Sequence, residues 1–180
     1  SVAYFLRRTK QSVLLLDAEK EGGGAWQHGW DSLRLFSPSS WSSIAGWPMS
    51  DTGEQYPSRD HVISYLRQYE NRYGFAIERP VMVTHIEPVT DGFKVSTGAK
   101  NWYARTVVLA TGSWRNPYIP KIAGLEKFTG QQVHSAHYAS PELFANQNVL
   151  IMGGGNSGAQ ILAEVSLTAA STTWVTVQPP

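Results

Sequence analysis

Val149-Leu150-Ile151-Met152-Gly153-Gly154-Gly155-Asn156-Ser157-Gly158-Ala159-Gln160 passes from an apolar run through G-x-G-x-x-G into a helix-forming stretch. Strand, tight turn and helix in that order open a dinucleotide-binding βαβ unit. Each glycine has its own task there. Gly153 allows the tight turn out of the strand, Gly155 lets backbone N–H groups approach a pyrophosphate, and Gly158 lets the helix pack close to the sheet. Phosphates then meet the helix N-terminus, where unpaired N–H groups and the helix dipole favour negative charge. A lone G-x-G-x-x-G also occurs as a purely structural turn, and it is the flanking strand and helix that favour nucleotide binding. Downstream, residues 169–172 read as a loop and 173–177 as a β-branched strand.

The chain's first residues resemble the second half of another such unit. Residues 1–9 read as a helix with Val2, Phe5 and Leu6 on one face, 12–16 as a buried strand, and Asp17 as the acid that ends it. In a dinucleotide unit that acid binds a ribose 2′-OH. In an unrelated sheet it would merely end a strand. The opening strand and glycine turn of this first unit are expected upstream of Ser1, on the reading that the chain is a fragment. Glu21-Gly22-Gly23-Gly24-Ala25-Trp26 is a flexible turn that either approaches a ligand or only reverses the chain. Residues 26–47 read as loop. Ser58 can cap a helix reaching about Tyr73, with Val62, Leu66, Tyr69 and Tyr73 on one face and Gly74 as its C-terminal stop. Stretches 81–89, 93–97 and 102–110 read as three antiparallel strands joined by short turns, ending at Ala110-Thr111-Gly112. A proline-rich connector with Pro117 and Pro120 leads back to the opening motif.

Composition narrows the function classes. Among 180 residues, Lys+Arg 15 against Asp+Glu 14 leaves a net charge of +1, which marks neither a nucleic-acid nor an anionic-membrane partner. Hydrophobic residues at 42% support a packed core. The absence of cysteine removes disulfides, thiolate metal sites and thiol nucleophiles. No apolar run approaches a membrane span, and a cytoplasmic location is the expectation. The seven tryptophans cluster partly between Trp26 and Trp47, which suggests a pocket wall or a subunit contact, the latter compatible with a homodimer.

The order of elements resembles flavoproteins with two dinucleotide-binding domains, the first for FAD and the second for NAD(P)H. Phe128-Thr129-Gly130-Gln131-Gln132-Val133-His134-Ser135-Ala136-His137-Tyr138 matches F-x-G-x-x-x-H-x-x-x-Y/F, the motif of flavin-containing monooxygenases, whereas Baeyer–Villiger monooxygenases carry Trp at the place of Tyr138. Gly23-Gly24-Ala25-Trp26, Trp30-Asp31-Ser32-Leu33-Arg34-Leu35 and Tyr56-Pro57-Ser58-Arg59 resemble the bacterial members. The resemblance implies an α/β fold: two Rossmann-like domains with a three-stranded antiparallel meander. Residues 1–140 would be the FAD domain, without its first strand and glycine turn, plus a linker, and 141–180 the start of the NAD(P)H domain. It further implies that Asp17 holds the FAD adenosine ribose. Gly23, Gly24 and Trp26 would line the ribityl and isoalloxazine region, with Arg34 and Leu35 nearby. Val83 would contact adenine through its backbone, and Thr111 and Gly112 would pass close to the flavin. Gly153, Gly155, Asn156, Ser157 and Gly158 would cradle the NAD(P)H pyrophosphate. His134 would be either a structural histidine bonded to backbone or a catalytic one.

The implied activity is oxygenation of a small-molecule sulfide or amine, with a ketone as a further class, by O2 through a peroxyflavin. Phe36 stands where many members have an Asn near the flavin. Gln178 stands where many place an Arg for the 2′-phosphate, so NADPH and NADH are expected to serve comparably. A flavin disulfide reductase shares the two-domain plan but needs a cysteine pair, which this chain lacks. A non-catalytic dinucleotide-binding module is the alternative from another class.

Overall fold

The computed structural model describes residues 1–177, so Gln178 lies outside the described residues. The chain divides into two compact units: residues 1–27 with 37–112, and residues 28–36 with 113–180.

In the first unit, helix α1 (Val2–Leu6) buries Tyr4 and is shorter than the helix expected over residues 1–9. Strand β1 (Leu15–Leu16) is only the end of the apolar run expected as a strand. Its partner, β2 (Ile77–Glu78), pairs with it in parallel, Leu15 opposite Ile77 and Leu16 opposite Glu78. Nothing in the local pattern marks β2, because so short a strand carries no readable alternation. A 3₁₀ turn (Gly24–His28) runs from the expected glycine turn into the stretch expected as loop, which also holds the short helix α2 (Ser39–Ser42). The long helix α3 (Arg59–Tyr73) starts and stops as expected. Ser58 Oγ accepts the His61 N–H, and Gly74 closes the helix in the left-handed region.

The face that α3 buries is shifted from the expected one: Val62, Tyr65 and Tyr69 are buried, and Leu66 and Tyr73 only half-buried. Tyrosine wins over leucine because its hydroxyl has work to do. The Tyr65 hydroxyl accepts from the Ile44 N–H (2.9 Å) and donates to the Trp47 carbonyl (2.6 Å). Tyr69 donates to Ala45 O at 2.6 Å and Tyr73 to Gly46 O at 2.8 Å. Three phenols on one helix thus bond the backbone of an irregular loop whose own pairing is the isolated bridge between Ile44 and Trp47.

Strands β3 (His85–Val89), β4 (Gly92–Ser96) and β5 (Asn101–Ala104) form the expected antiparallel meander in the order β3-β4-β5. Pro88 sits on the edge strand β3, where its missing N–H costs no ladder bond. The last strand was expected to reach residue 110 but ends at Ala104. Val108 and Leu109 have strand composition and are largely exposed, with no neighbouring strand to pair with among the described residues.

The second unit is the βαβ element itself. Strand β6 (Asn148–Met152) runs parallel to β7 (Ser171–Val175), with helix α4 (Asn156–Val165) between them. Strand β7 begins two residues earlier than the pattern indicated, because Ser171 pairs with Asn148 and all five residues of β6 are matched. Ile151, Ile161 and Val165 form a core with Trp30 and Tyr138, so one face of β6 and one stripe of α4 close on each other. The mixed α/β fold with its three-stranded antiparallel sheet is the one expected.

Candidate functional site

The second glycine turn is built as its spacing requires. Gly153 has φ +123°, a conformation that side chains disfavour, and its N–H donates to the Val175 carbonyl at 2.9 Å. Its own carbonyl accepts from Trp174 Nε1 at 2.9 Å. A Cβ on Gly158 would lie 2.3 Å from that carbonyl oxygen, so the first turn of α4 rests directly on the loop backbone. Gly155 is different. A Cβ there would meet nothing within 4 Å, and its φ of −82° strains no residue. The space beside Gly155 is open to a ligand and is not used for packing. Gly155 is also the N-cap of α4 and, having no side chain, makes no cap hydrogen bond to the N–H groups that follow it. Asn156 and Ser157 are exposed there and Gly158 is half-buried. These features fit an anionic diphosphate.

In the first unit Asp17 follows β1. Its N–H donates to Glu78 O (3.1 Å), and its carbonyl accepts from Val81 N (2.7 Å). Its carboxylate pairs with Arg79 Nε at 2.7 Å and accepts the Glu19 N–H at 3.0 Å. Gly22 and Gly23 are buried. Gly23 (φ +124°) and Gly24 (φ +54°) bend the chain into the 3₁₀ turn, which carries the half-buried Trp26. Val83 is half-buried two residues before β3, and Thr111 and Gly112 are exposed. Arg34 and Leu35 belong to the second unit. There Gln160 of α4 clamps the Arg34 backbone, accepting its N–H and donating to its carbonyl, both at 3.3 Å. Phe36 is 68% exposed.

The F-x-G-x-x-x-H-x-x-x-Y stretch proves architectural in its visible contacts. A Cβ on Gly130 would meet the Phe128 ring at 2.5 Å. His134 Nδ1 accepts the Ala136 N–H at 3.1 Å and caps the 3₁₀ turn Ser135–His137, which is the backbone-bonded option for this histidine. Tyr138 is buried, edge-on to Trp30 at 5.7 Å and stacked on Phe144 at 5.9 Å. Burial, reinforced by the nearby Glu164 carboxylate, pushes its phenol far above the ordinary range. Ser32 Oγ donates to Glu164 Oε2. Among the described residues no group of histidines and carboxylates could hold a metal ion, and no helix is long and apolar enough to cross a membrane.

Two residues that no motif marks, Arg79 and Glu70, stand at the centre of the Asp17 environment. Arg79 follows a two-residue strand, and Glu70 looks like an ordinary helical charge. Only the meeting of Arg79 with Asp17, 62 residues earlier in the chain, reveals them.

The chain is 51% identical to the flavin-containing monooxygenase from Stenotrophomonas maltophilia, with a TM-score of 0.94 over 98% of this chain and 54% of that one. It is 33% identical to the uncharacterized oxidoreductase CzcO of Bacillus velezensis over 92% of this chain and 48% of that protein. It is 32% identical to the probable indole-3-pyruvate monooxygenase YUCCA4 of Arabidopsis thaliana over 76% of this chain and 34% of that protein. The chain therefore spans about half or less of the length of these relatives. The resemblance to flavin-containing monooxygenases is borne out. With the model of the pyridine nucleotide-disulphide oxidoreductases matching residues 2–180, the chain belongs to that family.

Proposed function

We propose that the whole protein is an FAD-dependent, NAD(P)H-using monooxygenase that transfers one oxygen atom of O2 to a small sulfide or amine, with ketones as a second substrate class. The observation that carries this reading is the 51% identity, across nearly the whole chain, to a flavin-containing monooxygenase. The second glycine turn supports the nicotinamide half: an open space at Gly155 beside uncapped N–H groups suits the pyrophosphate of NADPH or NADH. Asp17 would receive the FAD adenosine ribose, and the backbone near Val83 the adenine. Gly23, Gly24 and Trp26 would border the flavin, with Arg34, Leu35, Thr111 and Gly112 close by. FAD, when bound, supplies the redox chemistry with nicotinamide and O2. The chain's part is to hold and orient both cofactors and to exclude water. The described residues need no acid–base triad for that task.

The test is the whole protein, purified and scanned in the visible range, then given NAD(P)H, O2 and a thioether. A yellow protein that consumes NAD(P)H and forms sulfoxide is expected. A colourless protein that still binds NAD(P)H would replace this reading with a non-catalytic dinucleotide-binding module.

A further inference from the structure

Asp17 is not set by its own strand alone. Oδ2 accepts from Arg79 Nε at 2.7 Å and Oδ1 from the Glu19 N–H at 3.0 Å. The rest of the Arg79 guanidinium grips Glu70, Nη1 to Oε2 at 2.8 Å and Nη2 to Oε1 at 2.7 Å, in fork-to-fork geometry. The three side chains are largely covered, Arg79 being 17% exposed, Asp17 26% and Glu70 25%. Glu70 also reaches the glycine turn, for a Cβ on Gly22 would lie 2.7 Å from its Oε2. Arg67, also on α3, donates to the Gly22 carbonyl at 2.9 Å. The planar Arg79 cation thus joins the end of β1 to α3, and Arg67 joins α3 to the glycine turn.

Two carboxylates share this single cation. Without it they would be partly buried like charges with nothing between them. A guanidinium can serve both at fixed angles, which a lysine ammonium cannot. After one bond to each oxygen, Asp17 keeps a free acceptor direction on both. The quarter of its side chain that remains exposed is where a hydroxyl can reach.

We propose that Arg79, itself set by Glu70, is a positioning residue that holds the Asp17 carboxylate in the orientation that receives the adenosine ribose hydroxyls of FAD; the inference rests on the FAD reading of Asp17. The test uses apoprotein of the whole protein, titrated by flavin fluorescence with FAD and with an FAD analogue containing 2′-deoxyadenosine. Wild type is expected to prefer FAD about tenfold or more, the scale of one hydrogen bond to a carboxylate. Arg79→Gln is expected to bring that preference close to one while NAD(P)H affinity stays unchanged. Arg79→Lys keeps the charge and guards against a folding failure. It is expected to retain a preference of roughly threefold, since one ammonium cannot bridge both carboxylates. If the Arg79 variants weaken both flavins equally, or neither, the positioning role is overturned. Asp17→Asn separates this from failure of the underlying reading. A wild-type preference near one, or a preference that survives Asp17→Asn, removes the ribose assignment. Loss in Asp17→Asn but not in the Arg79 variants removes only the role of Arg79.

Discussion

The three motif glycines of the second turn, Gly153, Gly155 and Gly158, look alike in sequence and differ in what they forbid. Gly158 is closed by backbone: a methyl there meets the Gly153 carbonyl at 2.3 Å. Gly158→Ala is therefore expected to destabilise the protein by about 1–3 kcal/mol, as overpacking against a rigid neighbour does, read as a lowered thermal midpoint. Gly155→Val should behave oppositely. Its Cβ enters open space at an unstrained φ, so the stability loss should stay within about 1 kcal/mol, the scale of a poorer N-cap. NAD(P)H affinity should fall at least about tenfold, because the branched side chain occupies the room the pyrophosphate needs; unchanged affinity by titration would sink that assignment. Gln178 offers amide hydrogen bonds without charge, and the whole protein is expected to use NADH and NADPH with comparable kcat/KM. A preference for NADPH above roughly a hundredfold, about 2.7 kcal/mol, would mean that a cation elsewhere grips the 2′-phosphate.

Among the elements, the meander is tied to the two-stranded sheet through Glu78 on β2. Lys100 Nζ donates to its Oε2 at 2.6 Å and Trp102 Nε1 to its Oε1 at 3.2 Å. These bonds, Lys100 foremost, hold the Glu78 carboxyl below its usual pKa. Lys94 does the same for Glu87 between β3 and β4. A carboxyl with a depressed folded-state pKa contributes stability above its unfolded pKa and loses it as pH falls through the folded value. Melting temperatures taken from about pH 5 down to about pH 3 should thus fall less steeply in Glu78→Gln than in wild type. The difference should shrink in high salt, because the pair is exposed and screened. An identical slope in the variant would show that the pairing contributes nothing.

At the scale of the molecule, residues 1–180 cover 54% of the Stenotrophomonas maltophilia monooxygenase and 48% of CzcO. Oxygen transfer in a protein of this kind needs both cofactors held and water excluded. The 180-residue chain expressed alone is accordingly expected to form no sulfoxide under conditions where the whole protein does. Product formation by the chain alone, followed by chromatography, would show that these residues suffice.

What the sequence determined by itself was whatever depends on neighbours along the chain. The glycine spacing at 153–158, the Ser58 cap and Gly74 stop of α3, and the meander were legible because turn chemistry and caps act over a few residues. The family resemblance was legible for the same reason, resting on contiguous motifs. Tertiary structure alone decided β2, the burial of Tyr65 in place of Leu66, and the end of β5 at Ala104, since a strand exists only where a partner pairs with it. It alone placed Tyr138 against Trp30 and brought Arg79 to Asp17, a pair 62 residues apart. Charges so distant in sequence carry no mutual pattern. Their pairing arises only when packing removes them from water together, where a lone carboxylate would be costly and a shared guanidinium makes it tolerable.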